Sequence, residues 1–211
     1  MFITLEGIEG SGKTTQIAHI KNHLATCDVN CTVTREPGGT VIGAKIRAVL
    51  LDPANHDMDP LAELLLYMAD RAQHICRIIQ PALDKGHTVL CDRFFDATVV
   101  YQGAARGLNC QFIEQLHEMA FGGLKPDLTL LLDLPPELGL KRAWSQIKNG
   151  NRVANESRFE EEKLAFHTRV RSGYLALAEK NPKRFRIIDA TQNEEQVKGQ
   201  ITNLLDGILA P

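Results

Sequence analysis

The sequence predicts an α/β fold: a five-stranded parallel sheet covered by helices on both faces. Three observations lead there. Short β-branched or leucine-rich runs alternate with longer stretches of helical period. Those runs show little in–out alternation, as in Leu128-Thr129-Leu130-Leu131-Leu132, which marks strands buried on both faces. The first run passes through a glycine-rich turn directly into a helix. Alternation of this kind implies right-handed crossovers, and it gathers ligands at the carboxyl ends of the strands, near the switch in strand order.

Taken in order, residues 2–5 form the first expected strand, within Met1-Phe2-Ile3-Thr4-Leu5-Glu6. Residues 7–14 then read Gly7-Ile8-Glu9-Gly10-Ser11-Gly12-Lys13-Thr14, which satisfies G-x-x-x-x-G-K-[ST]. Glycines let such a loop curl so that successive N–H groups point at phosphate oxygens. The helix expected over 13–25 adds its positive end. Lys13 is expected at the β- and γ-phosphates and the Thr14 hydroxyl on Mg²⁺, so the chain is predicted to bind a nucleoside triphosphate within a P-loop NTPase fold. Strands follow at 31–34, 88–91, 128–132 and 185–188, and helices at 42–51, 61–85, 111–121, 136–147, 159–180 and 194–209. Pro60 suits a first helical turn, Pro81 a kink and Gly86 a helix end.

Length and composition bound the rest. A chain of 211 residues, 44% hydrophobic, fits one domain with a small inserted lid. A net charge of −2 supplies no general attraction to nucleic acid or anionic membrane. No apolar run approaches the ~20 residues of a membrane span, and the opening run is expected to be a core strand, which predicts no removable signal. The five cysteines are scattered without a C-x-x-C pair, against disulfides or a zinc knuckle and for a reducing, cytoplasmic location. Cys76 and Cys91 are expected in the core.

Several polar clusters fall at expected strand ends. Arg35-Glu36-Pro37-Gly38-Gly39-Thr40 is either a connecting turn or the rigid frame of a pocket. Arg93, in Asp92-Arg93-Phe94-Phe95, faces the same edge as the P-loop and suits bidentate phosphate binding; the plainer reading is a surface ion pair. Asp92 is either an indirect Mg²⁺ group or a helix cap. Tyr67 and Arg71 share one helix face, fit either to stack on and bond a base or to be core plus a snorkelling cation. Glu9 would be repelled by polyphosphate and so turns toward the acceptor, where a sugar hydroxyl is a sensible partner; otherwise it is an exposed loop carboxylate. The stretch from Lys141 to Arg158 is strongly basic around Asn149-Gly150-Asn151. It reads as a mobile lid, about residues 142–157, that closes over phosphates and supplies arginines. The histidines show no nucleophile–base or metal spacing.

Together these segments resemble bacterial thymidylate kinases, nearly end to end. The resemblance rests on Glu6 to Thr15, Thr34-Arg35-Glu36-Pro37-Gly38-Gly39-Thr40 and Ala69-Asp70-Arg71-Ala72-Gln73-His74. Asp92-Arg93, Tyr101-Gln102-Gly103, Lys125-Pro126-Asp127-Leu128-Thr129, Arg158-Phe159-Glu160 and Ile188-Asp189-Ala190-Thr191 extend it. It implies a single kinase domain over 1–211, ATP and dTMP as substrates, Mg²⁺ dependence and a homodimer. It further implies that Tyr67 stacks on thymine, Arg71 donates to O4, Arg93 holds the acceptor phosphate, Thr98 and Gln102 contact the base, and Tyr101 crowds C2′. Glu9, Glu36, Pro37 and Arg158 complete the expected acceptor site. The catalytic cations are expected to be Lys13, Arg93 and the lid arginines Arg142 and Arg152, with Arg158 supporting the acceptor phosphate or lid closure. Departures are Ala97 where many relatives have Ser, Ser157 where Asp is frequent, and a longer lid. Two rivals remain: a P-loop kinase with another acceptor, and a P-loop switch protein. The second lacks support, because no Asn-Lys-x-Asp guanine-reading sequence is present.

Overall fold

Each strand begins where the sequence places it and runs one residue further. In the computed structural model, which describes residues 1–150 and 156–209, β1 is Phe2–Glu6, β2 Cys31–Arg35, β3 Thr88–Asp92, β4 Leu128–Asp133 and β5 Phe185–Asp189. The extra residue is ionisable in every case. The apolar run stops there, but the ladder does not: Glu6 still pairs with Leu131, Arg35 with Asp92 and Asp133 with Asp189. Charge is thereby delivered to the carboxyl edge of an otherwise apolar sheet. All pairings are parallel, in the order β2-β3-β1-β4-β5. The order reverses about β1, which opens the crevice at its carboxyl end. Ile3, Leu5, Leu90, Leu130 and Leu132 are fully enclosed, so both faces of the sheet are covered.

The helices mostly match expectation. α1 is Lys13–Thr26. α2, Val41–Leu51, starts on Thr40, whose Oγ1 accepts the Gly43 N–H at 2.9 Å. The long helix expected over 61–85 is divided. α3 covers Pro60–His74, a π-helical turn covers Ile75–Ile79, and α4 is Gln80–Asp84. Pro81 has no N–H to continue the ladder; just before it the frame widens, and the Gln80 N–H donates to the Ile75 carbonyl. Cys91 is buried as expected, but Cys76 on this widened turn is exposed, contrary to the core position expected of it.

A helix that propensity did not announce follows β3: α5, Phe95–Thr98, continues into a π-helical turn, Val99–Ala105. Its β-branched and aromatic residues are weak helix formers, and packing overrides that preference. α6 is Cys110–Phe121, α7 Pro136–Lys148, α8 Leu164–Lys180 and α9 Glu194–Leu209. α8 therefore starts five residues later than the expected 159, because residues 159–161 form a turn and the helix begins only after Lys163, its N-cap. The first part of the expected lid, residues 142–148, belongs to α7, and residues 151–155 lie outside the described residues. Among the described residues, no helix is long and apolar enough to cross a membrane.

Candidate active site

The loop between β1 and α1 packs against α7 through two glycines. Gly10 has φ 71° and a Cβ there would strike the Gly139 backbone; Gly139 in turn lets the Glu9 carbonyl approach to 2.5 Å of where its own Cβ would stand. The Lys13 Nζ donates to the carbonyls of Gly7 at 3.1 Å and Ile8 at 2.9 Å. Burial, and then the nearby Arg93 charge, bring the Lys13 ammonium down to about 8, against the pull of Asp92, Glu9 and Glu6. Phosphate oxygens at this point reverse that, favouring the charged form.

Across the crevice, Arg93 leaves the end of β3 with φ 66°, an uncommon setting for a residue with a side chain. Its N–H is tied to the Leu5 carbonyl at 3.0 Å, which fixes the turn to β1. The guanidinium donates to Glu9 Oε1 at 3.0 Å and to the Tyr174 hydroxyl at 3.3 Å, and lies 4.9 Å from the Tyr101 ring centroid. Glu9 is buried, not the exposed loop carboxylate of the plainer reading. It accepts from the Tyr101 hydroxyl at 2.6 Å and stands 3.2 Å from His167 Nδ1. Burial alone would raise its pKa. The His167 hydrogen bond, Arg93 and Lys13 outweigh burial and hold the Glu9 carboxyl well below the usual range. Glu6 behaves oppositely: burial, then the Asp96 charge, push it up to about 8. It accepts from the Phe94 N–H at 2.8 Å and from the Tyr174 hydroxyl at 2.7 Å.

A third cluster frames the far side. Arg71, on α3, is 1% exposed and bonds Glu36 through Nε at 2.9 Å and Thr98 Oγ1 through Nη2 at 2.8 Å. Its Nη1 meets only the Met68 sulfur, at 3.7 Å, among the described residues, leaving donors for a ligand. Glu36 also takes His74 Nδ1 at 2.9 Å, so the turn after β2 frames a pocket. Tyr67 lines this side beside Gln102, whose Nε2 donates to buried Glu63 at 2.7 Å.

Residues from all three groups line one cavity of about 490 Å³, within the size range of small-molecule sites. Of the expected site, Glu9 to Thr14, Glu36, Pro37, Tyr67, Arg71, Asp92, Arg93, Thr98, Tyr101 and Gln102 all line it. Gly7 and Ile8 stand behind, offering their carbonyls to Lys13. Two expected residues depart. Arg142 is on the exposed side of α7, its Nη1 on the Ala190 carbonyl at 3.0 Å, and does not line the cavity. Arg158 is buried, held by Glu63 and by the Leu50 carbonyl at 2.5 Å, and does not line the cavity where the acceptor phosphate is expected. Arg152 lies outside the described residues.

Sequence reasoning missed Arg47, a cation in the apolar α2, which lines the cavity and grips Glu156 at 2.7 Å. It also missed Glu63, His74 and His167, all wholly buried, whose only signal was a polar residue on an apolar helix face. Asp92 Oδ1 is buried without a hydrogen-bond partner among the described residues, in the cavity that Thr14 also lines. A hydroxyl and a carboxylate are hard oxygen donors, so the pair fits Mg²⁺.

A phosphate-cradling loop facing Arg93 and Arg71 across one crevice defines a P-loop phosphotransferase, one whose acceptor is itself anionic. The thymidylate kinase family model matches residues 5–201. A thymidylate kinase of Desulfosudis oleivorans is 57% identical over 208 residues, 99% of this chain and 97% of that one. One from Nitratidesulfovibrio vulgaris is 49% identical over 210 residues, 100% of this chain and 98% of that one. The crystal structure of thymidylate kinase from Ehrlichia chaffeensis superposes with a TM-score of 0.76 at 33% identity, covering 97% of this chain and 98% of that one. The chain belongs to the thymidylate kinase family, whose function is the phosphorylation of dTMP to dTDP by ATP.

Proposed function

We propose that this chain carries out its family's reaction by in-line transfer of the ATP γ-phosphoryl group to a dTMP phosphate oxygen, with ADP as the second product. One observation carries the assignment of residues: Lys13, Arg93 and Arg71 line the same cavity from three directions. The P-loop N–H groups and Lys13 hold the donor phosphates. Thr14 and Asp92 would hold Mg²⁺, which neutralises charge between the β- and γ-phosphates when bound. Arg93, aimed by Glu9 and Tyr174, fixes the acceptor phosphate. Its oxygen is already anionic, so the chemistry needs alignment and charge neutralisation rather than a strong base. Arg71, oriented by Glu36 and Thr98, donates to thymine O4 while Tyr67 stacks on the ring. Glu9 faces the sugar, Tyr101 crowds C2′, and Gln102 contacts the base. Since Arg142 is engaged at Ala190, the arginine serving the transferring group is assigned to Arg152.

Donors at Arg71 suit the thymine carbonyl and oppose the cytosine amino group, a mismatch worth about 10⁴-fold. The uracil comparison turns on one methyl, about 1–3 kcal/mol. An ADP-release assay with ATP, Mg²⁺ and dTMP, dUMP, dCMP or thymidine tests this. Strong turnover of dTMP, weaker of dUMP and almost none of dCMP is expected; efficient dCMP turnover contradicts the role of Arg71. A homodimer is part of the same reading, supported by exposed Leu61 and Leu65 on α3 and Phe112 and Met119 on α6. Sedimentation at a mass of two chains is the expected result. The free thiols of all five cysteines support a cytoplasmic setting.

A further inference from the structure

Away from the cleft, α1 and α9 lie side by side and end together. His23 occupies the last turn of α1, Cys27 caps it, and Asp206 lies in the last turn of α9. His23 Nε2 is 2.8 Å from Asp206 Oδ1, and a ligand atom from each of His23, Cys27 and Asp206 lies within 4.8 Å of the other two. Among the described residues, no other trio of His, Cys, Asp or Glu side chains converges in this way.

We propose that His23, Cys27 and Asp206 form a site for a zinc-type divalent cation that ties the P-loop helix to the C-terminal helix. Three physical arguments support it. First, the donor set is imidazole, thiolate and carboxylate, which suits Zn²⁺ or Co²⁺ and disfavours Mg²⁺ and Ca²⁺. Bond lengths of about 2.0–2.3 Å in a tetrahedral site put neighbouring donors roughly 3.3–3.8 Å apart. To reach that spacing the His23–Asp206 pair, now at 2.8 Å, opens slightly, and the widest separation in the trio, within 4.8 Å, closes. Second, Cys27 caps α1 four residues after His23, about one turn on, which brings its thiol to the side where His23 meets Asp206. Third, both helices present their carboxyl ends here, so two negative dipole ends and the carboxylate favour a cation at this spot. A fourth position stays open to water.

His19, one turn earlier on the same face, stacks on His23 with ring centroids 6.4 Å apart and bonds the Thr202 hydroxyl at 3.0 Å. The competing account is a plain His23–Asp206 surface ion pair, which predicts no part for the thiol. That difference makes the idea testable.

The test uses the full chain stripped of metal and titrated with Co²⁺, then with Zn²⁺ against a chromophoric chelator, in the presence of excess Mg²⁺. One equivalent of Co²⁺ is expected to give tetrahedral visible bands and a thiolate-to-cobalt charge-transfer band. Cys27→Ser should abolish the charge-transfer band. Cys27→Ser, His23→Gln and Asp206→Asn should each weaken Zn²⁺ binding by at least about 10–100-fold, the loss that an outer-shell partner alone brings. Cys76→Ser, at another exposed thiol, should leave both readings unchanged. Zn²⁺ should raise the Tm of the parent chain and not of Asp206→Asn. Absence of the band at one equivalent, its survival in Cys27→Ser, its loss in Cys76→Ser, or displacement of Zn²⁺ by Mg²⁺ would each overturn the proposal.

Discussion

Arg71 has almost no contact with solvent, and its charge is matched by Glu36, itself shared with His74. Removing one partner of such a pair leaves a buried charge unmatched, so Glu36→Ala should cost about 3–5 kcal/mol in urea unfolding. Its KM for dTMP should also rise, because the guanidinium then keeps Thr98 but loses its one carboxylate partner among the described residues. Glu6 gives a pH prediction. Its carboxyl is held at about 8 when folded, against 4.5 for the free group, so the folded state binds the extra proton across that window. Its contribution to stability is therefore complete below about pH 4.5 and is lost as pH rises through 8. Lys13, lowered to about 8, acts only above that window and in the other direction. The urea midpoint should thus fall less from pH 6 to pH 8 in Glu6→Gln than in the parent chain, since the amide does not titrate; its oxygen accepts from the Phe94 N–H and its NH2 donates to the Tyr174 oxygen.

The order of strands and helices was legible because apolar runs and turn punctuation are local properties. Strand ends were read one residue short because backbone pairing outlasts hydrophobicity, as at Glu6 and Asp92. The P-loop and Arg93 were also legible, since a loop motif and a strand-end cation are sequence facts. What supports them was not. Tyr174 and His167 reach Arg93 and Glu9 from α8, far along the chain, and Gly139 of α7 is contacted by the P-loop through its lack of a side chain. That last contact is testable. Gly139→Ala would press on the Glu9 carbonyl and the Ile8 side chain, so a loss of about 1–3 kcal/mol is expected in thermal unfolding, with a lower kcat. The arginines of the expected lid divide in the same manner. Arg142 belongs to α7 and bonds Ala190, so Arg142→Ala should change kcat little, whereas Arg152→Ala should lower it by about 10³–10⁵. Steady-state kinetics on both variants checks this.

At the scale of the molecule, one topological fact organises the site. The strand order reverses at β1, so the P-loop at its end and Arg93 at the end of β3 open onto the same crevice. α3 and the π-helical turn after α5 close the far side with Arg71 and Gln102. In the proposed reading, donor and acceptor phosphates brought there meet between Lys13 and Arg93, which line the cavity together. The direct check is the fate of the γ-phosphorus. With γ-labelled ATP, Mg²⁺ and dTMP in a single turnover, the label should appear in dTDP, with little in inorganic phosphate, and Lys13→Ala should slow its arrival by about 10²–10⁵. Label released chiefly as inorganic phosphate, or transfer at an undiminished rate in Lys13→Ala, would contradict the account.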